Sequence, residues 1–103
     1  MKLPTKTRIF GIPFKIKWGK TSTINPAEGG ESLWGCDIHA SREIRIASDI
    51  SDRDKIETLF EEIVHAVLIE LDRNKLNESH KFITPFVHGI FSALESAGLI
   101  KYG

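Results

Sequence analysis

The stretch TLFEEIVHAVL, residues 58–68, places two glutamates and a histidine close together in a segment that favours a helix. Glu61 and His65 are four residues apart, and two residues at this spacing on a helix can bind one metal ion. Glu62 and His65 form a Glu-x-x-His pair, which is another ligand spacing used in helical bundles. Zinc accepts both carboxylate and imidazole ligands, at about 2.0–2.2 Å. The spacing therefore permits a metal site on this helix.

The same three residues also have a purely structural explanation. A Glu–His pair at this spacing is a common contact on helices, so His65 would bond to Glu61 while Glu62 stays in solvent. At about 100° per residue, the three share an arc about 100° wide, opposite the apolar stripe. That stripe is expected to pack on the sheet, and it consists of Ile56, Leu59, Phe60, Ile63 and Val67.

Strands are predicted on the N-terminal side of this helix. Alternation from Phe14 to Trp18 predicts a half-buried strand in RIFGIPFKIKW, and the Gly and Pro before it indicate an edge strand or a bend. Residues 19–32 are polar and rich in Gly, Ser and Thr, which predicts a mobile loop. A hairpin is expected next, with strands at about 33–39 and 43–47 and a turn between them at residues 40–42.

Two helices are predicted after the hairpin. Ser51 followed by Asp54 is typical of a helix N-terminus, and this helix should run to about residue 71 or 72. The second helix ends at Gly98, but its start has two solutions. Thr84 is either an N-cap before Pro85, or the helix begins near residue 79 and contains the proline. The prediction is one α+β domain over residues 1–103, with about three strands in a small antiparallel or mixed sheet packed on two helices.

Within this single domain, residues 1–32 form the N-terminal strand and flexible loop, and residues 33–103 form the hairpin and two-helix core. Fourteen basic residues balance fourteen acidic ones, so no electrostatic footprint for nucleic acid is expected. One cysteine allows no internal disulfide and fits a reducing cytosol. No apolar run reaches the ~18 residues of a membrane span, and no signal peptide is visible. We therefore expect a cytoplasmic protein without a membrane partner.

The order of motif and elements resembles the small zincin-like proteins, minimal metallopeptidase-fold domains often encoded in phages and prophages. In that family a strand with an I-x-I pattern leads into a helix of the form T-L-L-H-E-L-L-H-A, and a second helix supplies an acidic third ligand. Here REIRIASDIS, residues 42–51, precedes ETLFEEIVHAVLIEL, residues 57–71. The resemblance covers about residues 33–97 and is specific around residues 57–68. It implies a phage or prophage origin and a bacterial host cell.

The resemblance implies roles for the three polar residues. His65 matches the second zinc histidine, and Glu62 matches the general base that activates the metal-bound water. Glu61 stands where the first zinc histidine is expected, so the motif reads E-E-x-x-H. The degenerate motif makes zinc an open question and leaves it as the only cofactor that the resemblance suggests.

The third ligand of the family aligns near Thr84, and threonine is a poor zinc ligand at neutral pH. His80 and His88 lie four residues on either side of it and would share its face on a continuous helix. A relocated metal site would consist of Glu61, His65 and either His88 or His80. Otherwise His88 is an exposed residue at the edge of an apolar stripe, and His80 precedes the helix.

Three functions remain open at this point. The favoured one is a degenerate zincin-like protein that has lost standard zinc peptidase activity and binds a protein or peptide partner, through the former cleft or an edge strand. The alternative is an active metalloprotease-like hydrolase with an altered Glu/His site, in which Glu62 is the base and a peptide lies along residues 43–47. The third is a helical-hairpin interaction module without any metal chemistry.

Overall fold

In the part of the chain that the structure describes, the protein has the predicted α+β architecture, with two helices and a mixed sheet of four strands where the sequence predicts about three. The computed structural model describes residues 2–21, 34–71 and 80–100. The predicted loop at 19–32 and the connection at 73–79 lie almost wholly outside these residues. The strands are β1 (Lys6–Ile9), β2 (Ile12–Gly19), β3 (Gly35–Ile38) and β4 (Glu43–Ala47), and the helices are α1 (Asp52–Glu70) and α2 (His80–Ser96).

The N-terminal segment contains one strand more than the sequence suggested, because the bend expected near Gly11 is a hairpin turn. Ile9 pairs with Ile12, which leaves a two-residue loop of Phe10 and Gly11. Both loop residues have positive φ, 52° and 78°, as tight hairpin loops require when their twist matches that of the strands. Beyond the turn the predicted alternation is confirmed, because Phe14 is buried and its neighbours along the strand are exposed.

The sheet has the order β1-β2-β4-β3, with β4 in the interior. β4 pairs in parallel with β2 and antiparallel with β3. The expected hairpin between β3 and β4 is present, and a single 3-10 turn, His39–Ser41, connects its strands. Arg42 closes this turn in the left-handed region, at φ 52°. Since both edges of β4 are paired with other strands, a peptide cannot join residues 43–47 as an added strand.

Helix α1 begins as predicted. The hydroxyl of Ser51 accepts a hydrogen bond from the amide of Asp54 at 3.1 Å, and Asp52 and Asp54 occupy the first turn. The helix ends at Glu70, within one or two residues of the expected position. The helix dipole favours the carboxylates of Asp52 and Asp54, because they lie at the N-terminal end of the helix.

The face that α1 buries differs from the prediction. Its buried residues are Thr58, Glu62 and Ala66, a line at spacing i, i+4, i+8. Leu59, Ile63 and Val67 pack against the core but remain partly exposed. The expectation that Glu62 lies in solvent is therefore wrong. The buried arc is rotated because α1 packs on the sheet with one flank and on α2 with the other.

Helix α2 begins at His80 and contains Pro85, which selects the second of the two starts that the sequence allowed. Pro85 lies inside this helix, where it supplies no amide hydrogen for a bond to the carbonyl four residues earlier. At the other end Gly98 has φ +77° and donates its amide to Glu95, while the amide of Leu99 reaches the carbonyl of Leu94 at 2.9 Å. These bonds form the glycine-terminated helix end that the sequence predicted.

The core lies between the sheet and the helices, and its tightest point is at Gly35 on β3. A Cβ atom at this position would lie 2.8 Å from Thr58 Cγ2 and 3.1 Å from Glu62 Cγ. Both distances are shorter than ordinary carbon–carbon contact. Only glycine therefore lets α1 approach β3 this closely. The fully buried large side chains are Phe14, Ile44, Ile46, Ile83, Val87 and Phe91.

Replacing Gly35 by alanine should destabilise the protein by about 1–3 kcal/mol, because the new methyl group overpacks the contact between β3 and α1. Urea unfolding followed by circular dichroism measures this change in the free energy of unfolding.

Gly89 provides the matched control, since a Cβ atom built there meets nothing within 4 Å. Gly89→Ala, in the middle of α2, should stabilise the protein by up to about 1 kcal/mol. Equal effects of the two substitutions would contradict the close approach at Gly35.

Candidate functional site

The polar residues of the motif separate into two directions on α1. Glu61 points towards α2, where the hydroxyl of Thr84 donates a hydrogen bond to Glu61 Oε1 at 3.3 Å. Glu62 points towards β3 and lies over Gly35. The two adjacent glutamates therefore have different environments: a neutral hydroxyl partner for Glu61, and the sheet for Glu62.

Glu62 is a buried carboxyl group, with 4% of the residue exposed. Burial, together with the nearby carboxylates of Glu61 and Asp37, raises its pKa from the ordinary value of 4.5 to about 8. All three influences disfavour the charged form. Glu62 is therefore mostly protonated at neutral pH.

Asp37, on β3, is a second buried carboxyl group, and its side chain is 4% exposed. Neither of its oxygens has a hydrogen-bond partner among the described residues. Its pKa is raised to about 6, mainly by burial and also by the Glu70 carboxylate, while His39 and His65 act in the opposite direction. The influence of His65 places this motif residue in the electrostatic surroundings of Asp37. Asp37 and Glu62 thus form an acidic pair between β3 and α1.

A histidine and an arginine meet the end of α1 beside this pair. His39 Nε2 and Arg42 Nη1 each lie 3.0 Å from Glu70 Oε1. His39 Nδ1 is 4.0 Å from Asp37 Oδ2 and has no hydrogen-bond partner among the described residues. The histidine is thus held between two carboxyl groups, with its ring 5.9 Å from that of Phe14. Glu70 connects the β3–β4 turn to the C-terminal end of α1.

The two histidines proposed as third ligands do not complete the motif in the described part of the chain. His88 Nδ1 lies 3.0 Å from Glu57 Oε2, one helical turn before Glu61, and 58% of its side chain is exposed. His80 is the first residue of α2, and its side chain lies outside the description. His88 therefore contacts Glu57 instead of completing a site with Glu61 and His65.

The donors present do not fit the zinc site that the resemblance implies. No group of three or more His, Cys, Asp or Glu residues within 2–21, 34–71 and 80–100 is arranged to hold a metal ion. At the aligned positions the donor set consists of the Glu61 carboxylate, the His65 imidazole and the neutral hydroxyl of Thr84. Structural and catalytic zinc sites use at least three strong protein ligands, and a threonine hydroxyl is not among them.

Sequence reasoning assigned no role to Asp37, His39 or Glu70. The burial of Asp37 follows from the register of the hairpin, because Asp37 pairs with Ile44 and cross-strand partners share one face of the sheet. The predicted turn at residues 40–42 gives a different register, so the strand pattern alone did not reveal this burial. Glu70 had no signal either, because the end of a helix does not reveal which turn it meets.

Comparison with known proteins finds no matching family model, no similar curated protein and no similar solved structure. Among the described residues, neither helix combines the length and the apolar character that a membrane crossing demands. The site is therefore interpreted from its own chemistry.

The buried carboxyl of Glu62 should make stability depend on pH. The folded protein keeps this proton up to about pH 8, whereas the unfolded chain releases it near its ordinary value of 4.5. The unfolded state therefore binds fewer protons between these values, and the free energy of unfolding falls as the pH rises. Glu62→Gln mimics the protonated carboxyl, so it should be more stable than the wild type by about 2–4 kcal/mol near pH 8 and equal to it near pH 4.

Urea unfolding at several pH values measures this difference. Asp37 is present in both proteins, and its charge contributes to the raised pKa of Glu62, so the difference reports the Glu62 carboxyl in the presence of that charge. Glu57→Gln is the control on the same helix and should keep the wild-type loss of stability, because Glu62 is retained. A constant difference between Glu62→Gln and the wild type across this range would contradict the buried, protonated carboxyl.

Proposed function

We propose that this protein is a zincin-like domain that has lost standard zinc peptidase chemistry and acts by binding a protein or peptide partner. The observation that carries the proposal is the hydrogen bond between Thr84 and Glu61. The two residues stand at the positions that the resemblance aligns with the third and the first zinc ligands.

The contact supports the alignment, since ligands of one metal ion must lie close together in space. Thr84 and Glu61 are 23 residues apart in the chain, yet their side-chain oxygens are 3.3 Å apart. The same contact argues against zinc binding. The carboxylate of Glu61 stands where the family has its first zinc histidine, and the hydroxyl of Thr84 stands where it has its acidic ligand. His65 is then the one residue retained from the three-ligand set.

The protonation state of Glu62 also argues against peptidase chemistry. A general base must be ionised at the working pH to accept a proton. Burial and two neighbouring carboxylates raise the pKa of Glu62 to about 8. At neutral pH it therefore holds a proton, and its side chain packs on Gly35.

A binding role requires a surface, and the outer edge of β3 supplies one. No other described strand pairs with this edge, whereas both sides of β4 are paired. The carbonyl of Trp34 bonds to the amide of Ala47, so the antiparallel pattern turns the backbone groups of Gly35 and Asp37 towards the outer edge. An extended peptide that joins a sheet edge gains main-chain hydrogen bonds to such groups.

Rebuilding the two missing ligands should restore zinc binding if the alignment is correct. The wild type purified without an affinity tag should contain no stoichiometric zinc, because it has too few strong ligands. Glu61→His combined with Thr84→Glu should bind about one zinc per chain, since the two positions face each other beside His65. Elemental analysis and thermal melts with zinc or chelator measure both results.

Two controls accompany this experiment. His65→Ala in the double variant should abolish the zinc-dependent rise in melting temperature. Glu61→Gln with Thr84→Glu leaves only His65 and the new glutamate as strong ligands at these positions and should not bind zinc. Stoichiometric zinc in the wild type, lost in His65→Ala, would support the hydrolase alternative and contradict the proposal that the zinc site has been lost. A double variant without zinc would show that the alignment is wrong.

Strand addition should be visible in amide hydrogen exchange. A peptide selected from a displayed library for binding to the protein should slow exchange at Gly35 and Asp37, because their amides face the open edge. The amides of Lys6 and Arg8 on β1 serve as the internal control, since β1 forms the other edge of the sheet. Slower exchange at β1 alone, or at neither edge, would refute the assignment of β3.

A further inference from the structure

Helix α2 has an apolar face that is exposed among the residues the structure describes. Phe82 and Phe86 are 42% and 43% exposed, and their rings stack at a centroid distance of 5.1 Å. On the opposite side of the helix, Ile83, Val87 and Phe91 are buried in the core. The helix is thus apolar on both sides.

The exposed side is termed the outer face. It consists of Phe82, Pro85, Phe86, Gly89, Ala93 and Ser96, which are all exposed and lie within an arc of about 100°. No residue of this set is charged.

The charged and titratable residues of α2 with described side chains lie outside the outer face. His88 and Glu95 turn towards α1, where they meet Glu57 and Arg53 at 3.0 and 3.1 Å. Lys81 borders the outer face, about 40° from Pro85 and about 100° from Phe82 around the helix. Solvated helix faces normally carry charges, whereas depletion of charge together with exposed aromatic rings is typical of protein interfaces.

We propose that this face binds a second copy of the same chain, with the two α2 helices antiparallel about a two-fold axis. The proposal is independent of the metal question, because no residue of the outer face belongs to the candidate site. The outer face is self-complementary, which is the requirement for a two-fold interface.

The self-complementarity lies in the order of large and small residues. The large rings of Phe82 and Phe86 occupy the first half of the face, and the small residues Gly89 and Ala93 occupy the second half. An antiparallel pair brings Phe86 against Gly89 of the second copy, and Phe82 against its Ala93. Both pairs belong to one register, because the spacing of four residues between the rings equals that between the small residues. The space around Gly89 is open, as a partner's ring requires.

Charge and size favour the same occupant. The chain has a formal net charge of zero, so two copies approach without net repulsion. The 17-residue helix is about 25 Å long. One face of this length forms an interface smaller than about 1,200 Å² in total, which is the range of weak, reversible complexes. We expect a dimer with a dissociation constant on the order of 100 µM.

Sedimentation velocity over a concentration series, from about 10 µM to about 1 mM, tests the proposal. The wild type should change from monomer to dimer across this range. Phe86→Glu should weaken association about tenfold or more, because it places a charge at the centre of the interface. The matched control is Phe10→Glu, since Phe10 is 65% exposed in the β1–β2 turn and should leave association unchanged.

Gly89→Leu separates the proposed register from general stickiness. In the monomer the new side chain meets open space, so the fold and its circular dichroism should be retained. In the dimer it occupies the position of the second copy's Phe86 ring and should also weaken association about tenfold. If apolar adhesion alone caused association, the added leucine would strengthen it.

Three results would overturn the proposal: a monomer at about 1 mM, a dimer unaffected by Phe86→Glu, or a dimer strengthened by Gly89→Leu. A monomer that binds phosphatidylcholine vesicles through Phe86 would instead assign the outer face to a lipid surface. Variants that unfold are recognised by circular dichroism, and Ala93→Leu then replaces Gly89→Leu as the test of register.

Discussion

The close approach of α1 to β3 at Gly35 determines the environment of the buried carboxyl groups. Because a single glycine removes the side chain there, the backbone of β3 lies directly under Thr58 and Glu62. A carboxyl group is thereby fixed in a place that water does not reach, and its pKa rises to about 8. The same approach brings β3 with Asp37 under the helix, so a second carboxyl group is buried beside the first. A larger residue at position 35 would separate the layers and return both groups to solvent.

The side of α1 that faces α2 is organised differently, as a row of polar contacts. Three contacts cross from one helix to the other: Arg53 with Glu95, Glu57 with His88, and Glu61 with Thr84. Successive residues of the row on α1 are four apart, while their partners run backwards along α2, as antiparallel helices require. Each of these residues on α1 thus meets a polar or charged residue of the opposite helix. The arrangement gives the motif glutamate Glu61 a structural role that does not need a metal ion.

The sequence allowed much of the fold to be predicted, because local signals dominate its elements. Ser51 with Asp54, the alternation after Phe14 and the glycine at position 98 all had the structural meaning expected of them. The predicted buried face of α1 was wrong because it was defined from apolar residues alone. Thr58 and Glu62 lie within the buried arc, and no pattern in the sequence indicates that a glutamate is buried there. Its burial depends on Gly35, which is distant in sequence.

The candidate site was harder to predict because it depends on register. A turn confined to residues 40–42 would pair His39 with Glu43 and direct Asp37 away from the core. The actual turn includes His39, so Ile38 pairs with Glu43 and Asp37 with Ile44. A shift of one residue exchanges the two faces of a strand. The acidic pair therefore exists only in the register that the 3-10 turn imposes, and the spacing of the motif on α1 could not reveal it.

The parallel pairing of β2 with β4 has a consequence for the way the chain folds. The β1–β2 and β3–β4 hairpins need only contacts between residues close in sequence. The parallel pairing joins residues that are far apart, since Lys15 and its partner Glu43 are separated by 28 positions. Closing a flexible loop of that length costs about 3 kcal/mol of chain entropy. We therefore expect the two hairpins to form independently and to join late. The rate of folding would then depend on the contact between β2 and β4 rather than on either helix.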